Sequence, residues 1–302
     1  MLWFKNIVIY RLTKRIELSV AEIEKKLSDF IFTSCSGQDI AKSGWISPMG
    51  DAYSPLIHAT SGHLFLCLRT EEKVIPPSVI KKSLEDKNRK LKSNKNRKLY
   101  KNEEKILREE IFYELIPRAF SRFTETFLWI NLVDNMVIIN VSNFKKAENC
   151  LSILRKSIGS LPIVPLRVKN PIEIILTQWV RTGEPAPNFI IQDEVELKML
   201  ATEGGTCRCK KQDLSSSEII VHIKAGKMVT RLALEWKNRI QFLIDKNCLI
   251  KRLKLSDQEK EYDNIIQYED SHSHFYSDFT LITSELTPFI ADLIKSFGGV
   301  IL

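Results

Sequence analysis

The chain reads as an α+β protein with mainly antiparallel sheets. Three observations predict this. Short β-branched or aromatic runs recur from the first residues to the last third of the chain. Several follow one another through turn signals instead of crossover helices. Between them lie amphipathic segments opened by Ser or Pro and closed by Gly, the punctuation of helices. The 302 residues are 44% hydrophobic and 27% charged, enough for a sizeable core. No apolar run reaches the about 18 residues of a membrane span. The N-terminus, MLWFKNIVIYRLTKR, has no small-residue cleavage site and reads as a first strand. The expected location is cytoplasmic.

Taken in order, residues 3–12 (WFKNIVIYRL) predict a strand. Ser19 predicts an N-cap, with Glu22 as its capping-box acid and Val20, Ile23 and Leu27 on one helical face. Residues 33–61 are rich in Gly, Ser and Pro and predict loop. HLFLCLR at 63–69 is a strand. From Ser78, behind Pro76 and Pro77, to residue 116 the pattern is helical but polar, with Leu107, Ile111 and Leu115 recurring every fourth residue until Pro117 breaks it. So little apolar surface cannot lie in a core, so this stretch should project. TFLWINLV and MVIINVS flank Asp134-Asn135, a two-residue hairpin signal. KKAENCLSILRKSIG predicts a helix stopped by Gly159, LPIVPLRV an extended run, and PIEIILTQWV a helix opened by Pro171. After GEPAPN come a strand at NFIIQ, a loop at EGGTCRCKKQD, and a helix at SSSEIIVHIKAG. KMVTRLALEW, RIQFLID and LIKRLKL form a meander. Residues 256–274 predict an acidic loop, DFTLITSEL follows, and TPFIADLIKSFGG is a final helix. The expected organisation is a central α+β domain at 1–75 plus 117–170, a basic helical tip at 76–116, and a second α+β domain at 171–302.

Net charge is +8, and its placement matters more than its size. Residues 81–101 hold eight lysines and two arginines against Glu85 and Asp86, so this segment carries the whole excess. A basic patch on a neutral body points to an anionic partner such as nucleic acid, against the plain alternative of a solvated lysine-rich helix pair. Within the patch, Arg89, Lys92, Arg97, Lys98 and Lys101 suit phosphate contact without base readout. A second basic group, Arg208, Lys210, Lys211 and Gln212, follows Gly204-Gly205. A third is Lys251, Arg252 and Lys254, where alternation puts Arg252 and Lys254 on one strand face. With no helix-turn-helix or RNP signature, binding should be sequence-independent and salt-sensitive.

Signals for catalysis are weak. The chain contains no GxxxxGK[ST], no GxGxxG after a strand and no GxSxG. His272 and His274 lack a spaced partner, and Asp263, Glu269 and Asp270 read as solvated charge. The six cysteines form no CxxC pair. Cys67 and Cys150 read as core, and the expectation is reduced thiols with no metal and no cofactor. A metal-dependent nuclease using Asp263 and Glu269, or an RNA-associated basic protein, are the competing readings.

LIPRAFSRF, at 115–123, crowds Arg118, Phe120, Arg122 and Phe123 behind Pro117. Together with MLWFKN, AKSGW and PMG between 41 and 50, LRKSIGSLPIVPL at 154–166, CKKQDL at 209–214 and HIKAGKMVTRLALEW at 222–236, it resembles the bacterial recombination-associated RdgC family. The likeness runs over essentially the whole chain. The cysteine-rich TCRCKK and the acidic 256–275 depart from the family pattern. The resemblance implies a curved subunit with a helical tip and a homodimeric ring closed through two interfaces. Duplex DNA would thread its basic hole; single-stranded DNA is also bound without sequence preference. It further implies nucleoid association, restraint of RecA and no catalysis. Carried over residue by residue, Arg97, Lys211 and Gln212 are the leading DNA contacts and Phe120 is an interface anchor. Arg118 and Arg122 would touch DNA or brace that contact. Phe123 and Phe127 are expected in the core.

Overall fold

The computed structural model describes residues 3–51, 53–95, 100–199, 204–255 and 271–301. Twelve strands among them form two sheets, and every paired strand is antiparallel. The first sheet contains β1 (Val8–Leu12), β2 (Ala41–Ile46), β3 (Ile57–Thr60), β4 (His63–Val74), β5 (Phe120–Asn131), β6 (Met136–Ile139) and β7 (Ile163–Pro165), in the order β2-β4-β5-β6-β1-β7 with β3 also on β4. The second holds β8 (Phe189–Met199), β9 (Thr206–Lys210), β10 (Lys227–Trp236), β11 (Ile240–Asp245) and β12 (Ile250–Leu255), in the order β12-β11-β10-β8-β9.

The first sheet is buried on both faces at its centre, which is why its strands are near-continuous apolar runs. Val8, Tyr10, Leu12, Leu64, Leu66, Leu68, Leu128 and Ile130 face one core. That core is closed by α1 (Val20–Ser28) and α4 (Phe144–Ile158). The alternate residues Ile7, Ile9, Phe65 and Trp129 face the other core. There they meet the second sheet, α5 (Ile172–Thr182), α6 (Ser217–Lys224) and α7 (Ser271–Ser296). Local chemistry sets the helix ends, at Ser19 and Gly159 as expected and at Asn143 without a reading from the sequence. Ser19 and Glu22 form a reciprocal capping box, Asn143 caps α4 through the Lys146 N–H, and Gly159 ends α4 at φ 89°.

Several expectations need correction. The first strand begins at Val8, because residues 5–7 pair instead with β12: the Ile7 and Ile250 backbones exchange hydrogen bonds at 2.9 and 3.2 Å, tying the two sheets together. The stretch 33–61 is not mainly loop; it supplies β2 and β3. β2 has weak strand composition, and Gly44 is what admits it. A Cβ there would lie 2.4 Å from the Phe32 Cα. The β5–β6 turn is four residues, Leu132–Asn135, with Asn131 Oδ1 accepting from the Val133 and Asp134 N–H groups. The loop expected at 203–213 contains β9, whose residues alternate exposed and half-buried. DFTLITSEL belongs to α7, which runs unbroken from Ser271 through Pro288. His272 and His274 therefore stand in its first turn, not in a loop. The acidic residues 256–270, with Asp263, Glu269 and Asp270, lie outside the described residues.

β4 and β5 pair over all twelve residues of each, far beyond the reach of β6. One end of this ribbon is in the core. The other, near Val74 and Phe120, stands clear and carries a helical hairpin: α2 (Pro77–Lys95), α3 (Lys101–Leu115) and a 3-10 turn at Ile116–Arg118. Leu84, Ile111 and Ile116 are the hairpin's buried anchors.

Candidate nucleic-acid interface

The hairpin divides the charge unevenly. α2 carries seven bases against two acids, and α3 carries five glutamates against three bases. The positive surface is therefore α2 and the connection to α3, not the whole tip. Arg89, Lys90 and Lys101 are exposed. Lys87 is drawn across to Glu114 at 2.6 Å, which with Arg118 nearby holds the Glu114 carboxyl below its ordinary value. Lys92 lies on α2 but its side chain is outside the described residues, as are Arg97 and Lys98 altogether.

At the ribbon's free end Arg118 is exposed, and Phe120 is 87% exposed opposite Val74, itself 37% exposed. Ile40, 41% exposed, lies opposite Lys73, whose N–H its carbonyl accepts, and so belongs to the other face of the ribbon. Phe123 corrects the expectation of a core residue: it is 55% exposed and meets Phe32 edge-on, ring centroids 6.3 Å apart. Its strand partner Glu71 shows why. That buried carboxylate accepts from Ser121 Oγ and the Cys35 N–H, which keep it below its ordinary value, so polar groups fill the sheet there. Phe127 is half-buried and stacks on Phe65 at 5.6 Å. Arg122 is engaged by Glu72 at 2.5 Å, which favours bracing the ribbon over reaching outward.

The second and third basic groups, far apart in sequence, come together on the open face of the second sheet. Glu194 of β8 accepts Lys210 of β9 at 3.6 Å and Arg252 of β12 at 2.9 Å. β12 and β8 are three strand spacings apart in the order, about 14 Å on a flat sheet. Side chains that meet across that span require the sheet to curl, so this face is a concave trough. Two residues along β8, Glu196 accepts Arg208 at 2.5 Å and Arg231 of β10 at 3.3 Å. Burial pushes the Glu196 carboxyl up, but hydrogen bonds from Arg208 and Thr230 and the two guanidinium charges outweigh it and hold it below its ordinary value. Lys254 is exposed beside Arg252, on the face that alternation predicted.

Where β9 ends, Lys211 is exposed in a left-handed conformation at φ 54°, and Gln212 gives its amide to Glu218 at 2.7 Å. Both line a cleft of about 780 Å³ with Gln192, Asp193, Asp213 and Ser215. Lys210, Lys211 and Gln212 thus form one turn adjoining the trough, while Arg89, Lys101, Arg118 and Phe120 belong to the separate ribbon end.

Sequence reading missed Arg231 and the acids Glu194 and Glu196. Their signal was available: GluValGlu in β8 alternates in step with ArgCysLys in β9, and antiparallel pairing sets the like-facing residues together. Among the described residues no three of His, Cys, Asp and Glu gather closely enough to hold a metal, and no helix is long and apolar enough to cross a membrane.

A family model described as "Putative exonuclease, RdgC" matches residues 2–300. The recombination-associated protein RdgC of Sodalis glossinidius (strain morsitans) is 55% identical over 99% of this chain and 98% of its own length. That of Yersinia enterocolitica is 49% identical over 99% of both chains, and that of Yersinia pestis (strain Pestoides F) 48% over 99% of both.

Proposed function

The chain belongs to the RdgC family, and on that premise we propose that it is a non-enzymatic DNA-binding protein that encircles duplex DNA as a homodimeric ring and restrains RecA-promoted strand exchange. It works at the nucleoid, in the cytoplasm, and takes single strands as well. The observation that carries this reading is the placement of charge. The chain's entire positive excess lies in 81–101, on and beside a helix held clear of the core by the β4–β5 ribbon. Lysines and arginines on such an arm contact phosphates, release counterions and read no sequence. Arg89, Lys92, Arg97, Lys98, Lys101 and Arg118 serve the tip; Lys210, Lys211 and Gln212 serve the turn beside the trough. The exposed apolar pair of Phe120 and Val74 at the foot of the tip supplies one of the two contacts that close the ring, with Phe120 as its anchor.

The test is a salt titration of binding to two duplexes of unrelated sequence. The proposal expects equal affinities and a steep negative slope against salt; a marked preference for one duplex, or a flat slope, contradicts it. A second reading, end-degradation of DNA, is favoured by the description of the family model. Incubating end-labelled duplex with Mg²⁺ or Mn²⁺ separates the two: shortening from the ends supports a nuclease, and intact duplex supports the ring.

A further inference from the structure

Two cysteines of the second sheet sit in a built environment. Cys207 and Cys209 are two residues apart on β9, so both sulfurs point to the same face, opposite to Arg208 and Lys210. Their Sγ atoms are 3.6 Å apart. His222 of α6 lies over them, its Nε2 3.5 Å from the Cys207 sulfur, and Lys227 Nζ is 3.1 Å from the other ring nitrogen, Nδ1. An ammonium only donates, so Nδ1 is the acceptor and the neutral ring carries its proton on Nε2, aimed at Cys207. Both thiols are half-buried and within reach of small solutes. By contrast, Cys67, Cys150 and Cys248 are sealed in the core, and burial pushes Cys150 and Cys248 up to about 12.

We propose that Cys207 and Cys209 are an oxidation site, a dithiol that a hydroperoxide converts into an intra-strand disulfide, reshaping the edge strand that carries the Lys210–Gln212 turn. The Cys207 sulfur attacks the peroxide; the O–O bond breaks, one oxygen leaves as water, and Cys207 becomes a sulfenic acid. The Cys209 sulfur then attacks the Cys207 sulfur, the S–O bond breaks, and the hydroxide leaves as water with the Cys209 proton. Two thiols lose two electrons and two hydrogens, and one peroxide becomes two waters.

The mechanical consequence follows from strand geometry. Alternate Cα atoms of an extended strand are about 6.7 Å apart. Disulfides span about 4.4–6.8 Å and prefer about 5.5–6 Å. Closing the bond therefore shortens β9 by about 1 Å at Arg208. Among the described residues β9 is an edge strand, hydrogen-bonded to β8 alone in its sheet, so it can pucker without breaking a second ladder there. The cost falls on the Arg208–Glu196 and Lys210–Glu194 pairs and on the turn that follows.

The effect on DNA rests on the proposed function above; the chemistry of the pair does not. The experiment exposes full-length protein to equimolar hydrogen peroxide, blocks free thiols, and digests without reduction. Trypsin cuts after Arg208, so the expected product is two fragments joined through Cys207 and Cys209 that separate on reduction, formed before Cys35 is modified. Cys209→Ser should stop at a sulfenic acid on Cys207 trapped by dimedone, and His222→Gln should slow the reaction severalfold. Oxidation of Cys35 first, or sulfenic acid without a cross-link in the wild type, overturns the proposal. The same samples are tested on duplex DNA. Weaker binding after oxidation, restored by reductant and absent from the double Cys→Ser variant, is expected, and unchanged binding overturns the link between pair and turn. A reduced protein that binds no DNA counts against the proposed function, and the cross-link assay still decides the pair.

Discussion

Individual residues here separate function from stability with little overlap. Phe120 buries almost nothing, so Phe120→Ser should change the unfolding free energy by no more than the about 0.5 kcal/mol expected of surface changes, and the dimer, held by its other contact, should keep its mass in solution while losing closure. Trp129, fully buried on the same strand, should lose about 3–5 kcal/mol on truncation to Ala in denaturant titration. Glu194 restrains two bases of the trough, so Glu194→Gln should free Lys210 and Arg252 and tighten duplex binding at low salt; weaker binding would count against the trough as a DNA surface. His58 is buried edge-on among Phe275, Tyr276 and Phe279, and burial lowers its pKa. The unfolded chain binds its proton first, so stability is full above about pH 6.5 and falls as pH drops through the window below it. His58→Phe should flatten that fall in urea midpoints measured between pH 7.5 and 5.5. The basic residues of the site were legible because Lys and Arg cluster in the sequence itself. Phe123 was not, since an exposed aromatic beside a buried carboxylate has the same local pattern as a core one.

At the scale of elements, the structure rewards sequence signals that are local and fails those that depend on partners. Ser19 and Gly159 bound their helices as read because a cap is satisfied within four residues. Ser19→Ala should cost about 1 kcal/mol, measurable by chemical denaturation. β2 and β9 went unread because their strand character comes from β4 and β8 and not from Val or Ile of their own. α7 was read short because Pro288 looks like a helix start, yet an apolar face from Phe275 to Phe297 holds the helix through it. The helices of the hairpin were legible because Pro77 opens the first and Pro117 follows the second. On the proposed function, the hairpin's contribution to binding is additive charge. Lys90→Ala with Lys101→Ala should reduce the slope of log affinity against log salt by about 2 for every sequence tested alike.

For the whole molecule, the central claim is topological. A closed ring leaves DNA only by opening an interface or by sliding off an end, whereas phosphate contacts alone dissolve in salt regardless of ends. The exposed apolar group at the ribbon end, beside a basic arm, is what a ring-closing contact requires, and no single residue's charge reports on it. The direct measurement is retention on closed circular and linear duplexes of equal length after a jump to high salt, for wild type and Phe120→Ser, with solution mass recorded for both. The account predicts a wild-type dimer that stays on circles and leaves linear molecules, and a Phe120→Ser variant that leaves both at one rate. Equal release of the wild type from circles and linear duplexes would contradict it.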